Sequence, residues 1–179
     1  SEDVRDIIEE YLPTIDKDAS VEVAFFGGSF TAIDIDIQKS LLSVAKEYVD
    51  RGLVNDIRMS TRPDCIDEEI MSLIYEIHLI KPVFIELGLQ TTKEASYKYI
   101  RRGYDNFIFE NAIKLIKKYN DKINTKENYI HIIVHTIIGL PGETYEDMVN
   151  TIRYVNNFPI HGIKLQLLHI LKNTDLAIE

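Results

Sequence analysis

Short apolar runs alternate with longer amphipathic segments along this chain of 179 residues. The short runs are rich in Val, Ile, Leu and Phe, a composition that is typical of strands. Strands are predicted over Val21–Gly28, Asp56–Pro63, Val83–Gln90, Tyr129–Gly142 and Gly162–Ile170. The segments between them have helical spacing, and a further helix, Asp3 to Tyr11, precedes the first strand. This order, α(βα)4β, predicts parallel strands with right-handed crossovers.

Side chains that can cap a helix precede four of the amphipathic segments. They are Asp34 or Asp36, Asp67, Asp105 and Thr144. Thr144 is followed three residues later by Asp147, the spacing of a capping box, which predicts a helix through Val155. The segment "TTKEASYKYIRRG" predicts another helix, which begins at a threonine and ends at Gly103.

No linker or low-complexity segment divides this pattern, so residues 1–179 are predicted to form a single domain. The polar run Asn120 to Asn128 is predicted to be a surface extension of one turn. Five strands with helices between them suit either a doubly wound sheet or an open arc of a β/α barrel. Both alternatives stay open on the pattern alone.

Composition limits the cellular environment and the kinds of partner that are expected for this protein. The formal net charge of −9 argues against a surface that binds nucleic acids or membranes in general, since such surfaces concentrate Lys and Arg. The single cysteine, Cys65, excludes an internal disulfide, and no apolar run approaches the roughly 18 to 20 residues of a membrane span. The start, "SEDVRDIIEE", is acidic and unlike a signal peptide. A soluble cytoplasmic protein with no membrane partner is predicted.

Unusual residues gather at the carboxyl ends of the predicted strands, which is where both fold alternatives place their chemistry. These strand-end residues are Gly27, Gly28, Ser29, Ser60, Arg62, Glu86, Gly88, Gln90, Thr91, His135, Gly139, Gly142, Glu143, Gln166 and His169. A pair of glycines lets the backbone approach a ligand closely. The pair Gly27–Gly28, however, is also compatible with a simple tight turn.

Glu86 stands inside an otherwise apolar strand. Burying an unpaired carboxylate costs several kcal/mol, so we expect Glu86 to face a polar barrel interior or a cation, with Arg62 as the candidate partner. His131 and His135 share a strand face, but no third ligand has matching spacing, which disfavours a metal site. Taken by itself, the Arg101–Arg102 pair is typical of a solvated helix end.

The strand-end motifs resemble those of the radical S-adenosylmethionine superfamily over nearly the whole chain. "VEVAFFGGSFTAI" and "STRPDCIDEEI" are similar to bacterial relatives of the Elongator catalytic subunit. "ELGLQTTKEASYKYIRRGYD", "HTIIGLPGETYEDM" and "GIKLQLLHILKNTDLA" resemble a related, uncharacterised group of radical enzymes. The resemblance implies a parallel, TIM-like partial (β/α)6 barrel, a 4Fe-4S cluster, and S-adenosylmethionine that is cleaved reductively to a 5'-deoxyadenosyl radical. It also implies a reductant such as flavodoxin or ferredoxin, and tRNA or a small molecule as substrate.

The first two strands supply half of the cofactor contacts that this resemblance implies. Gly27 and Gly28 would offer backbone groups to the amino group of the cofactor, in the loop that holds its methionine end. Ser29 would add a hydroxyl, although many relatives carry Glu near this position. Ser60 lies at the cofactor position of the second strand.

The remaining implied contacts come from later in the chain. Gln90 and Arg102 match the residues that reach the ribose and the carboxylate of the cofactor. His135 falls where a ribose-binding residue sits, and the turn around Gly139 would flank the adenine. Tyr104 departs from the histidine that is usual after "RG" in this group, so no role is carried over to it.

The cluster of this superfamily needs three thiolates from a CxxxCxxC loop, and Cys65 is the only cysteine here. The resemblance therefore implies a fragment that lacks the first strand and the cysteine loop, with no metal ligands of its own. The strand Val21–Gly28 would then be an exposed edge, for which we expect self-association.

Two other function classes stay open on the residues alone. A β/α-barrel lyase or isomerase of phosphorylated small molecules would want a lysine at a strand end for a Schiff base, and Lys164 lies early in its strand. A noncatalytic binding module is the second. Nucleotide triphosphate hydrolysis has little support, because "GGSFT" lacks the lysine of a phosphate loop.

Overall fold

One parallel five-stranded sheet organises the chain. The computed structural model describes residues 2–78, 82–123 and 129–178. The strands are β1 Glu22–Phe25, β2 Asp56–Thr61, β3 Val83–Gln90, β4 Ile130–Ile138 and β5 Gly162–Leu167, and they lie in the order β1-β2-β3-β4-β5. The order of a doubly wound sheet reverses at one point, whereas this one never does. The fold is therefore the open arc of a TIM-like β/α barrel, as the resemblance implied.

The described helices lie before, between and after the strands. They are α1 Glu2–Tyr11, α2 Ile35–Asp50, α3 Glu68–His78, α4 Glu94–Tyr99, α5 Asn106–Asn120, α6 Tyr145–Val155 and α7 Asp175–Ile178. No described helix is long and apolar enough to cross a membrane.

The predicted caps are confirmed. Asp34, rather than Asp36, accepts hydrogen bonds at the start of α2, and Asp67 and Asp105 accept from the backbone of Ile70 and Ile108. Thr144 and Asp147 form the predicted capping box of α6. Each cap satisfies backbone N–H groups that have no partner within the helix.

The predicted helix from the threonine pair to Gly103 is wrong at both ends. Helix α4 begins at Glu94 and ends at Tyr99, with Lys93 as an N-cap that makes no side-chain capping bond. Thr91 and Thr92 do not cap it, because their hydroxyl groups bond Glu143 and Thr151. The strand-end segments are thus held by tertiary contacts that a local pattern does not reveal.

The predicted strands are also too long at their carboxyl ends. β1 ends at Phe25 rather than Gly28, β2 at Thr61 rather than Pro63, β4 at Ile138 rather than Gly142, and β5 at Leu167 rather than Ile170. Short 3₁₀ turns follow β1 and β2, at Phe30–Ala32 and Pro63–Cys65. Gly27, Gly28, Ser29, Arg62 and Gly139 are therefore in loops beyond the sheet.

The sheet has one apolar face and one polar face. The face turned toward the helices, here called the convex face, carries Met59, Ile85, Leu87 and Val134, all 0% exposed. These residues pack with the apolar sides of the helices, including Tyr48 and Phe109, in one core. Alternate residues point to the opposite face, here called the concave face.

The polar run from Asn120 is anchored at its start. The buried side chain of Asn120 donates to Ile130 O over 2.8 Å and accepts from Ile130 N over 3.0 Å, which ties the end of α5 to the start of β4. Residues 124–128 of the predicted surface extension lie outside the described residues.

Candidate functional site on the concave face

One polar side chain from each strand joins a line of contacts across the concave face. Arg58 Nε of β2 donates to Glu22 Oε1 of β1 over 2.7 Å, and Arg58 Nη1 donates to Glu86 Oε1 of β3 over 3.0 Å. His135 Nε2 of β4 contacts Glu86 Oε2, and Lys164 Nζ of β5 lies 3.2 Å from the same oxygen. These five residues are called the concave-face network.

Glu86 is the centre of this network, as expected of a carboxylate inside an apolar strand. It is 3% exposed, and Arg58, His135 and Lys164 all contact its two oxygens. The predicted partner Arg62 is wrong: its guanidinium pairs with Asp64 over 2.6 Å. Arg58 has the required position because β2 and β3 align Arg58 with Phe84, which lets its side chain reach diagonally to Glu86.

The surroundings fix the charges of Glu86 and His135. Desolvation raises the pKa of Glu86, but hydrogen bonds from Lys164, His135 and Arg58 outweigh it, so that the pKa is lowered overall. Desolvation lowers the pKa of His135, Lys164 and Arg58 add to this effect, and Glu86 opposes it only in part. The pair at pH 7 is therefore a carboxylate beside a neutral imidazole.

The loop after β1 leaves two glycines open. Gly27 has a φ of 102°, which favours glycine, and no described residue other than the adjacent ones in the chain has an atom within 4 Å of the Cβ position of Gly27 or Gly28. Ser29 follows them, with no side-chain capping bond to the 3₁₀ turn that begins at Phe30. Thr31, in that turn, shares a 2.5 Å hydrogen bond with Thr61 at the end of β2. The bond between Thr31 and Thr61 thus holds the segment that follows the glycines, while the space beside Gly27 and Gly28 stays open.

Gln90 ends β3 in an uncommon conformation. Its φ of 67° lies in the left-handed region, which residues with side chains seldom adopt. Its side chain folds back over Gly88, where a Cβ would lie only 2.9 Å from Gln90 Nε2, and Gln90 Oε1 is buried without a partner among the described residues. A buried acceptor with no partner costs about 1–3 kcal/mol, and such costs collect at functional sites.

Arg102 holds both sides of Gln90. Its Nη1 donates to Leu89 O over 2.7 Å and to Thr91 O over 2.8 Å, the carbonyls that flank Gln90. Its Nε and Nη2 donate to Tyr104 O and to the side chain of Asn106. At 7% exposure Arg102 is buried, so the interpretation of the arginine pair as a solvated helix end is wrong for it. Its guanidinium is used to shape the end of β3.

Tyr104 supports the same segment. Its hydroxyl donates to Gly88 O over 2.6 Å, and its ring lies 4.8 Å from the Arg102 guanidinium. Burial raises the pKa of Tyr104 to about 12, so the phenol stays protonated and remains a donor. A tyrosine at this position therefore serves the backbone of β3.

A second set of contacts joins the loops that follow β3 and β4. Thr91 Oγ1 donates to Glu143, and the hydroxyls of Thr92 and Thr151 lie 3.0 Å apart. Lys93 Nζ donates to Gly142 O over 2.8 Å and pairs with Asp147 over 2.9 Å. These residues are called the loop clamp. The clamp fixes the "GLPGE" turn, which includes Gly139 at a φ of 86°, beside the end of β3.

The histidine pair considered for a metal does not converge. His135 contacts Glu86, whereas the His131 ring stacks on Phe84 with 4.6 Å between centroids and lies 4.8 Å from His161. No group of three or more His, Cys, Asp or Glu suited to a metal ion occurs in the part of the chain that the structure describes. Cys65 is partly buried, and desolvation raises the pKa of its thiol.

The predicted site residues divide into two groups by position. Ser60, Gln90 and His135 lie on adjacent strands, with Ser60 aligned with Glu86, and Gln90 with Thr136 beside His135. Gly27, Gly28, Ser29 and Gly139 lie in the loops beyond the same ends of β1 and β4. Arg102 lies behind Gln90 and contacts it only through the backbone.

Comparison with known proteins assigns this arrangement to a family. The family model of the radical SAM superfamily matches residues 1–155. The chain belongs to that superfamily. It is 31% identical over 121 residues to the uncharacterized protein YtqA of Bacillus subtilis (strain 168), covering 68% of this chain and 35% of YtqA. It is 29% identical over 138 residues to the protein YhcC of Escherichia coli (strain K12), covering 76% of this chain and 42% of YhcC.

A solved structure shares the fold. The archaeal Elp3 of Methanocaldococcus infernus, with residues 1–46 deleted, superposes with a TM-score of 0.76 at 19% identity, over 98% of this chain and 43% of that one. The chain thus spans less than half the length of these relatives. The radical SAM assignment confirms the predicted family, and the site residues carried over from it stay predictions.

Two cations of the concave-face network, Arg58 and Lys164, were missed by sequence reasoning. Arg58 was not singled out, because a polar residue that alternates with apolar ones in a strand is also the pattern of plain solvent exposure. Lys164 lies too early in its strand to be expected at the strand end, yet the register of β4 and β5 places it opposite His135. Strand register, which the local pattern does not contain, would have found both.

Proposed function

We propose that this chain carries the S-adenosylmethionine-binding rim of a radical SAM enzyme that starts radical chemistry on a substrate still unidentified. Membership of the superfamily supports the reaction class. The observation that carries the site assignment is Gln90 at the carboxyl end of a central strand, a strained residue whose buried amide oxygen has no partner among the described residues. Ligands of open β/α sheets bind beside such strand ends.

The residues present fit a nucleoside-bearing amino acid. The open backbone at Gly27 and Gly28 would meet its amino group, with Ser29 and Ser60 as further polar contacts. Gln90 and His135 would meet the ribose, and the turn at Gly139 would lie against the adenine. When bound at a reduced cluster, the cofactor supplies a 5'-deoxyadenosyl radical. This chain's own residues bind and orient it.

We assign Arg102 a supporting part in this rim. It holds the carbonyls of Leu89 and Thr91, so it stabilises the left-handed backbone of Gln90 between them. Contact between Arg102 and the cofactor carboxylate, which the resemblance implies, would require one of these bonds to be given up or the remaining N–H to reach the ligand.

The residues do not fit a 4Fe-4S cluster. Such a cluster takes thiolate ligands, and Cys65 is the single cysteine of the 179 residues. We propose that the cluster ligands of the whole protein lie outside this sequence. From the family resemblance we also propose a reductant such as flavodoxin or ferredoxin, and tRNA or a small molecule as substrate.

A Schiff-base lyase has less support. Lys164 Nζ donates a hydrogen bond to Glu86 over 3.2 Å, so this amine is engaged by a carboxylate rather than free to attack a carbonyl.

Ligand titration tests the proposed rim. S-adenosylmethionine added to the ¹⁵N-labelled chain should shift resonances of Gly27, Gly28 and Gln90, with an affinity on the order of millimolar, because a few polar contacts must offset the lost freedom of the ligand. Gln90→Ala should weaken binding. Asn111→Ala, which removes an exposed amide of α5, should not.

The same substitutions in the full-length, cluster-loaded protein complete the test. Calorimetry reports affinity for the cofactor, and visible absorption reports the cluster independently. Gln90→Ala should weaken the first and leave the second unchanged. Equal affinity with and without Gln90, together with no shifts on the concave face of this chain, would overturn the assignment.

A further inference from the structure

The contact between Glu86 and His135 determines where the imidazole proton lies. An ionised carboxylate only accepts hydrogen bonds, and Glu86 Oε2 contacts His135 Nε2. A neutral His135 must therefore carry its proton on Nε2. Its Nδ1 is then an acceptor, and within the described residues no hydrogen bond reaches it, while 11% of the side chain is exposed.

We propose that Glu86 is a positioning residue that holds His135 in the Nε2–H tautomer, so that Nδ1 serves as a proton acceptor for an O–H or N–H group of the substrate on the concave face. The proposal rests on the proposed function, because it presumes that a substrate enters this face. It gives His135 a role as a base in addition to the ribose contact proposed for it above, whereas the other rim residues only bind and orient the cofactor.

The proton transfer balances within the site. The substrate O–H or N–H bond breaks as the Nδ1–H bond forms, and the bonding electron pair stays on the substrate atom. The imidazolium that results donates Nε2–H to Glu86, whose negative charge stabilises it. Transfer of the proton back, or to water, restores the neutral ring.

In the described part of the chain, the charged groups that act on His135 lie on β2, β3 and β5. Glu86 on β3 favours the protonated ring, whereas Lys164 on β5 and Arg58 on β2 disfavour it. A substitution at Glu86 should therefore lower the pKa of His135, and one at Lys164 should raise it, with the imidazole itself unchanged.

Nitrogen NMR of this chain, ¹⁵N-labelled at histidine, tests the proposal without any cofactor. His135 should show a protonated Nε2 and an unprotonated Nδ1 at neutral pH, with the Nε2 proton protected from exchange. Glu86→Gln leaves one oxygen for three donors, so the protection and the tautomer preference should decrease and the pKa of His135 should fall. Lys164→Met should raise that pKa.

His131 is an internal control in the same spectra. It lies on the same face of β4 but stacks on Phe84, with no carboxylate contact among the described residues, so neither substitution should change its tautomer. Glu22→Gln, at the far end of the network, should leave His135 unchanged. A protonated Nδ1, or a tautomer that does not respond to Glu86→Gln, would overturn the positioning role. Since no cofactor is present, either result is independent of whether the rim binds S-adenosylmethionine.

Discussion

The two faces of the same strands have opposite chemistry. In β3, Ile85 and Leu87 are covered by the helices, whereas Glu86 between them reaches cations from strands on either side. Strands of parallel sheets usually have both faces buried and apolar. An open arc has helices on one face only, so its other face can hold a polar network. In one strand, the residues on the convex face therefore stabilise the core, and the residues between them form the polar network of the concave face.

This difference predicts that substitutions one residue apart will act in different ways. A change on the convex face leaves a cavity in a close-packed core. A change on the concave face removes a hydrogen-bond partner from charges that stay behind. The first should be insensitive to pH, and the second should depend on it.

The largest effect is expected for Ile85→Ala on the convex face. Ile85 is 0% exposed, and its removal should lower the free energy of unfolding by about 2–5 kcal/mol. Urea denaturation measures this, with Ile37→Ala as the control, because Ile37 is 53% exposed and its loss should change stability by about 0.5 kcal/mol or less. Equal midpoints for the two variants would mean that the helices do not cover this face in solution.

Glu86→Gln on the concave face should have a smaller effect of about 1–3 kcal/mol at pH 7. The pKa of Glu86 is lowered in the fold, so the stability from its charge is present above the ordinary carboxyl pKa of about 4.3. That stability is lost as the pH falls through the lowered value. Denaturation at pH 7 and pH 3 should therefore show a difference between wild type and variant that shrinks in acid.

Glu22→Gln is the matched control for this prediction. Glu22 also pairs with Arg58 but is more exposed, and such pairs are worth about 0–1 kcal/mol. If Glu86→Gln cost no more than Glu22→Gln, or cost the same at both pH values, the concave-face network would contribute no more than an ordinary surface ion pair.

The smallest effect is expected for self-association through the edge of the sheet at β1. β1 pairs only with β2 in the described sheet, so its other side has unpaired backbone groups, beside a groove lined by Ile7, Tyr11 and Val23. We expect weak self-association through this edge, which sedimentation at rising concentration would detect. Ala24→Lys, an added charge on the strand, should reduce it. A monomer at every concentration would show that the edge is already protected.

Periodicity was sufficient to predict the strands and the caps, because each is decided by residues a few positions apart. It left a doubly wound sheet and an open barrel arc as alternatives, and the family resemblance implied the second. Periodicity did not predict the register between strands. The pairing of Glu86 depends on that register, because its partners Arg58 and Lys164 are 28 and 78 residues away in sequence. The family resemblance selected Gln90 and His135 but gave no sign that Arg102 would be buried among backbone carbonyls. Such contacts are set by the packing of the loops after the strands.

The loop clamp makes two distant stretches of sequence a single cooperative unit. Thr91, Thr92 and Lys93 contact Glu143, Thr151, Gly142 and Asp147, so neither loop can open without breaking the bonds of the other. Their amide hydrogens should accordingly exchange with solvent together, and the energetic effects of substitutions at Thr91 and Glu143 should not add. Inheritance of one loop would then constrain the other, although about fifty residues separate them in the chain.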